Sequence, residues 1–271
     1  MFIFEQWDKL CSDISSKNII RVDEILLQEN NTKWISIKHD VETNVLKALH
    51  LARIEHKYNI KATYYVQADL VRSNFKLLQE IKSLGHEVTY HYDVLDANNG
   101  DLDKSIIDFK NNLNMFLKYG FEVRTVCPHG NPIMIRDGWS SNKDFFRSLK
   151  VQAMFPNILD MVVQLPEKVN SGYTYISDAG YSFKEIVNIE NNDLINNGDI
   201  EINNHLELIN IINTRDNVIL SAHPHRWEPS KFKFMINVYV FKILRSIARV
   251  ISNVPILKII ISRYYYLAKK I

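Results

Sequence analysis

The chain has 271 residues, 46% of them hydrophobic and 11% aromatic, which excludes intrinsic disorder and suffices for one large core or two modest ones. The net charge of +2 conceals two regions: residues 1–229 carry 24 basic against 31 acidic side chains, whereas residues 230–271 carry nine basic and no acidic ones. An acidic body argues against nucleic-acid binding, and the two widely spaced cysteines, Cys11 and Cys127, indicate neither a disulfide framework nor a cysteine zinc site and fit a reducing compartment.

The opening MFIFEQWDKLCSD reads as a helix with early acids and no leader pattern, so no signal peptide is expected. KWISIKHD (33–40) alternates and is β-branched, which predicts a strand. TNVLKALHLARIEHKY then places Val45, Leu49 and Ala52 at helical spacing. IKATYYVQ predicts a second strand, SNFKLLQEIKSLG a helix stopped by Gly85, and GHEVTYHYD (85–93) a third strand. DKSIIDFKNNLNMFLKYG is a helix with an Ile106, Phe109, Leu113 and Phe116 stripe, and VRTVCPHG a fourth strand. This β-α-β-α-β-α-β order is that of a parallel sheet with crossover helices. Beyond it, WSSNKDFFRSL predicts a helix, VQAMFP and GYTYISDAG strands, DIEINNHLELINIIN a strand, turn and helix, and NVILSAHPHRW a last strand. About seven strands in this order predict a barrel, complete or incomplete.

In parallel α/β folds the working groups lie at the C-terminal ends of strands. Those ends read KHDVE (38–42), HYD (91–93), CPHG (127–130), SDAG (177–180) and AHPHRW (222–227). Five of the nine histidines fall there: His39, His91, His129, His223 and His225. Imidazole with carboxylate is a ligand set for a divalent transition metal, and an incomplete shell leaves a bound, acidified water suited to amide or ester hydrolysis.

KHDVE, a helix, IKATYYV, GHEVTYHYD, CPHG and ILSAHPHRW, in that order over residues 33–227, resemble the polysaccharide deacetylase superfamily (NodB-homology, carbohydrate esterase family 4). The nearer likeness is to its divergent HDVD-type branch, linked to bacterial surface-polysaccharide biosynthesis. The resemblance implies a distorted (β/α)7 barrel and a metal-dependent sugar N-deacetylase. It also implies paired acids that divide the work of base and metal ligand, two histidine ligands four residues apart, and a late histidine that protonates the leaving amine. Two departures stand out. Valine occupies position 41, so strand alternation makes Glu42, on the face of Asp40, the replacement ligand. Leu95 stands four residues after His91, leaving His129 to substitute for the absent histidine.

The expected catalytic pair is therefore Asp40 as base and His223 as acid, His223 being preferred to His225 because its position matches the family's late histidine. Asp40, Glu42, His91 and His129 are the expected ligands of a divalent metal, zinc first. Asp93, Asp178, His225, Arg226 and Trp227 are the expected substrate-side residues, with Asp93 placed to orient His91 or substrate, Asp178 to tune the acid, and Trp227 to stack on a sugar. Each has a plainer reading: a helix cap for Asp40, a helix N-terminus for Glu42, a buried backbone-bonded imidazole for His91, a turn for His129, Asp93 and Asp178, and core for Trp227. His39, His50, His56, His86 and His205 are read as structural. Cys127 is not read as a nucleophile, since its sequence neighbour His129 supplies no oriented base.

Two domains are expected, a barrel over 1–229 and a basic amphipathic helical tail over 230–271. In the tail, Lys242, Arg245 and Arg249 share a helical face against Phe241, Ile243, Leu244 and Ile247, and Tyr264 to Tyr266 with Lys269 and Lys270 suit a headgroup layer. The charges exclude a conventional spanning helix and predict one lying in a membrane interface. The alternative is a helical pair packed on the barrel or at a dimer interface. The expected partner is an N-acetylated sugar or glycan at the cytoplasmic face of the inner membrane, with no nucleic acid. The alternatives are another metal-dependent amidase or esterase, and a degenerate barrel that binds glycan without catalysis.

Overall fold

The computed structural model describes residues 2–29, 32–131, 134–194 and 198–252. In chain order the elements are α1 (Phe4–Ile14), β1 (Ile19–Ile20), β2 (Trp34–Val41), α2 (Val45–Lys57), β3 (Thr63–Val66), α3 (Ala68–Ser83), β4 (Glu87–Tyr92), α4 (Val94–Ala97), α5 (Leu102–Lys118), β5 (Thr125–Pro128), α6 (Asp144–Arg147), α7 (Leu149–Met154), β6 (Leu159–Asp160), α8 (Leu165–Lys168), β7 (Thr174–Ser177), β8 (Phe183–Glu185), β9 (Ile200–Ile202), α9 (His205–Thr214), β10 (Asn217–Ala222) and α10 (Lys231–Ser252).

One sheet runs β6-β5-β4-β3-β2-β10-β7-β8-β9, with β1 also beside β2. The seven strands from β6 to β7 are mutually parallel, and β8 and β9 continue antiparallel. Side chains from strands far apart in this order meet on its concave side: Trp34, Tyr65, Cys127, Tyr175 and Ile219 form one cluster. Contacts of that kind require a sheet curled on itself. The fold is a mixed α/β, distorted (β/α)7 barrel, open between β6 and β7.

The alternation of β2 shows how the sequence builds it. All eight residues of Trp34–Val41 are buried, so both faces are covered. Ile35, Ile37 and Val41 join the outer core beneath the helices, while Trp34, Lys38 and Asp40 point into the barrel. His39 faces outward. Its Nε2 lies 2.6 Å from the Glu55 carboxylate, which also accepts hydrogen bonds from Trp7 Nε1 (3.1 Å) and the Tyr64 hydroxyl (2.7 Å). This buried knot ties α1, α2, β2 and β3 together.

Residues 151–156 (VQAMFP) are not a strand: Leu149–Met154 is helical, so this expectation is corrected. Six residues are too few to fix a period, and the bond from Phe155 N to the Val151 carbonyl (3.0 Å) closes a helical turn with Val151 buried. The tail begins as one long helix, α10, seated by Phe234 and Phe241 against Tyr181. The side chains of Arg245 and Arg249, and all of Tyr264 to Tyr266, Lys269 and Lys270, lie outside the described residues.

Candidate metal and acid–base centre

Parallel pairing brings the C-terminal ends of β2, β4, β5, β7 and β10 to one mouth. His91 lies in β4, while Glu42, His129, Asp178 and His223 each stand one residue past a strand. The backbone continues the ladders there: His129 N donates to the Tyr92 carbonyl (2.7 Å) and Asp178 N to that of Ser221 (3.1 Å). Asp40 is not a helix cap, because Asn44 caps α2 through a 3.1 Å bond to Lys47 N.

Glu42, His91 and His129 place ligand atoms within 4.8 Å of one another. Glu42 Oε1 is 3.5 Å from His129 Nε2 and 4.0 Å from His91 Nε2, and the two imidazole rings meet edge to face at 5.2 Å. His91 Nδ1 lies 3.0 Å from the Cys127 carbonyl, an arrangement in which Nδ1–H donates and Nε2 faces Glu42. This carbonyl, rather than Asp93, orients His91. The carbonyl of His129 is held in turn by Asn142 Nδ2 (2.9 Å), whose amide also bonds Asp96, itself clamped by Arg136 and the Trp139 indole.

Asp40, His91 and Cys127 form a second such group. The Lys38 ammonium already occupies it, 2.8 Å from both Asp40 oxygens and 3.2 Å from Cys127 Sγ. A second cation there would be forced against the first. Glu42, His91 and His129, two imidazoles and a carboxylate, are the better donor set for a divalent transition metal. The local field agrees. Burial presses the His91 imidazole toward neutrality, yet Asp40, Cys127 and Glu42 push its pKa up to about 10. Burial would likewise raise Glu42, but His129, His91 and His223 hold it well below the usual carboxylate range.

Opposite this cluster stands the second pair. His223 Nε2 is 3.7 Å from Asp40 Oδ2 and 3.9 Å from Glu42 Oε1. Its Nδ1 lies 2.6 Å from Asp178 Oδ1, while Asp178 Oδ2 accepts from His223 N (2.9 Å) and Trp227 Nε1 (2.9 Å). Burial tends to raise Asp40, and Lys38, His91 and His223 outweigh it to keep the carboxyl ionised. The site opens to solvent on this side, where the Glu42 and His223 side chains retain 18% and 12% exposure.

The structure thus brings together Asp40, Glu42, His91, His129 and His223, and corrects the stacking role expected of Trp227. Trp227 is 1% exposed and packs edge-on against Trp7 and Phe2, so it cannot stack on a sugar. Asp178 is buried behind His223, and Arg226 Nη1 turns toward Asp178 (3.1 and 3.3 Å). His225 has its pKa driven down to about 3 by burial, and its Nδ1 has no hydrogen-bond partner among the described residues. Asp93 sits at the cap position of α4 without a side-chain capping bond. Lys38 and Asn142 are the residues that sequence reasoning missed. Lys38 was detectable, as a lysine two residues before Asp40 in a strand apolar enough to be buried on both faces.

No protein-family model matches the chain, and a search of curated proteins finds no match. Solved structures give likenesses at low identity. One is a family 4 carbohydrate esterase from Streptomyces lividans in complex with acetate, 12% identical, with a TM-score of 0.43 over 71% of this chain and 79% of that one. Another is the catalytic domain of a peptidoglycan N-acetylglucosamine deacetylase from Eubacterium rectale, 13% identical, with a TM-score of 0.45 over 79% and 86%. A third is a pseudoenzyme of carbohydrate esterase family 4 from Bacillus anthracis, 13% identical, with a TM-score of 0.42 over 78% of this chain and 61% of that one.

Proposed function

We propose that this protein is a metal-dependent N-deacetylase of an acetylated sugar or glycan in bacterial surface-polysaccharide biosynthesis. One observation carries the reading: a carboxylate held ionised by a buried lysine and a carboxylate-backed histidine face each other beside a two-imidazole, one-carboxylate cluster. Glu42, His91 and His129 would hold a divalent cation, zinc first. When bound, such an ion polarises an amide carbonyl and lowers the pKa of water.

The remaining roles fall to the chain's own side chains. Lys38 keeps Asp40 deprotonated and fixes both its oxygens, and Asp40, facing His223 at the mouth, is the carboxylate we assign as the base toward water. Asp178 engages Nδ1 of His223 and leaves Nε2 directed at Asp40 and Glu42. An imidazole fixed in this way can carry a proton at Nε2 and pass it to a departing amine, with Asp178 steadying the imidazolium. The products are acetate and a free amino sugar. Trp227, buried out of reach of substrate, supports Asp178 from behind, and Arg226 pairs with the same carboxylate.

The setting we infer is the cytoplasmic face of the inner membrane, with residues 230–271 in peripheral contact. The lack of any acidic residue in that segment supports it, as do the free, buried thiols of Cys11 and Cys127. The test is acetate release from N-acetylated amino-sugar substrates by zinc-loaded protein, with Asp40→Asn and His223→Ala alongside. Each substitution is expected to lower turnover roughly 10²–10⁴-fold. Undiminished release from either variant would remove that residue from the mechanism.

A further inference from the structure

Helix α10 is apolar on two sides. Phe234 and Phe241 pack on the Tyr181 ring, at 6.1 and 5.2 Å between centroids, and Phe234 also approaches Phe2. Away from that seat, Phe232, Met235, Ile236, Tyr239, Val240 and Ile243 form a second stripe at helical spacing. Phe232, Met235 and Tyr239 are 74%, 66% and 68% exposed, too much to be an incidental surface residue or two. Lys231, Lys233 and Lys242 border the stripe and are exposed, and no acidic residue follows Glu228.

The helix also has a fixed place relative to the mouth. Tyr181 lies three residues past Asp178, the partner of His223. It adopts a left-handed backbone (φ 63°) in a tight turn after Gly180, and its ring is the seat for Phe234 and Phe241. Asn237 of α10 bonds the Glu228 carboxylate, which also pairs with Lys47 at the start of α2. Each of these anchors lies beyond the C-terminal end of β2, β7 or β10, the end at which Asp40, Glu42 and His223 gather.

We propose that the exposed stripe of α10 is a docking surface for an anionic lipid bilayer, and that it sets the barrel mouth beside that bilayer to act on a membrane-carried acetamido sugar. The choice of a bilayer over a second protein rests on charge. An apolar stripe bordered by cations alone repels its own copy and complements anionic headgroups. Among the described residues no helix is long and apolar enough to cross a membrane, so the stripe lies in the interface. The substrate half of the proposal rests on the deacetylase reading above, whereas the docking half does not.

The full-length protein is to be sedimented with phosphatidylcholine vesicles and with vesicles containing phosphatidylglycerol at about one part in three. Binding to the anionic vesicles is expected to be roughly 10-fold or more stronger and to weaken with added salt. The variants Phe232→Ser/Met235→Ser/Tyr239→Ser and Lys231→Glu/Lys233→Glu/Lys242→Glu, each checked for an unchanged thermal melt, are both expected to lose it. Absence of anionic-vesicle binding overturns the proposal, as does a self-association that these substitutions abolish in place of vesicle binding. Acetate release from a lipid-linked acetamido sugar embedded in the same vesicles then separates the two readings. Binding without release refutes deacetylation of this lipid-linked sugar and leaves docking intact, and release that persists when binding is lost refutes the role of the stripe in setting the mouth beside that substrate.

Discussion

Lys38 Nζ lies 2.8 Å from each oxygen of Asp40, in a strand where both side chains are buried inside the barrel. The two residues are two positions apart and so share the inward face, with Cys127 and the rings of Tyr65 and Tyr175 enclosing the ammonium. Burial alone would favour a neutral lysine, yet Asp40, Cys127 and Tyr175 hold its pKa well above the usual value. Removing one partner of such a pair leaves the other charged and uncompensated. Lys38→Met is therefore expected to cost roughly 3–5 kcal/mol of stability in urea unfolding, and Lys38→Met/Asp40→Leu to recover most of it. A single variant as stable as the parent would show that the pair does not exist as described.

Asp178 acts through His223, so its substitution should separate catalysis from binding. Asp178→Asn keeps the shape but replaces the acceptor at Nδ1 with an amide. The expected result is a fall in kcat of roughly 10²–10⁴-fold with little change in KM. Steady-state kinetics on an acetylated amino sugar checks this, and a rise in KM alone would instead make Asp178 a binding residue.

At the opposite end of the barrel, Glu87 is buried between the hydroxyls of Thr63 (2.7 Å) and Thr125 (2.9 Å). Burial, with the nearby Asp23 charge, pushes its pKa up from 4.5 to about 7. Between these values the folded state keeps a proton that the unfolded chain has released. The associated stability is thus fully present below pH 4.5 and lost as pH rises through 7. Glu87→Gln mimics the protonated acid, so it should remove on the order of 2 kcal/mol of this pH dependence and raise stability chiefly at about pH 8. Thermal unfolding at about pH 5 and 8 checks it, and an identical pH slope in parent and variant would contradict it.

Gly100 follows α4 with φ at 81°, and a Cβ there would stand 2.4 Å from the Trp139 ring. That ring's indole holds Asp96, which shares Asn142 with the His129 carbonyl. Gly100→Ala is expected to destabilise by about 1–3 kcal/mol and to loosen zinc retention through His129. Dialysis against a weak chelator, followed by metal analysis, reads the second effect. Parent-like retention in a destabilised variant would disconnect this loop from the metal cluster.

Much of this was legible in the sequence because strand alternation is strict. The same period-two pattern that put Asp40 and Glu42 on one face put His39 on the other, where it meets Glu55. Crossover order then brought the strand ends of β2, β4, β5 and β10 together without further information. What escaped was short or remote. β1 and β6 have two residues each and β8 has three, too few to show a period. Asn142 reaches His129 from a loop 13 residues away, a contact that no local pattern encodes. Trp227 was ambiguous because a buried and a stacking tryptophan look the same in sequence. Its indole bond to Asp178 is a three-dimensional fact.

The central claim is that Glu42, His91 and His129 jointly hold one divalent ion while Lys38 excludes it from Asp40 and Cys127. X-ray absorption spectroscopy at the zinc edge of the zinc-loaded protein tests this directly. The expected shell contains imidazole nitrogen and carboxylate oxygen at about 2.0–2.2 Å, and the outer-shell imidazole scattering corresponds to two histidines. A sulfur scatterer at about 2.3 Å, or a shell without imidazole, would place the metal elsewhere and contradict the account.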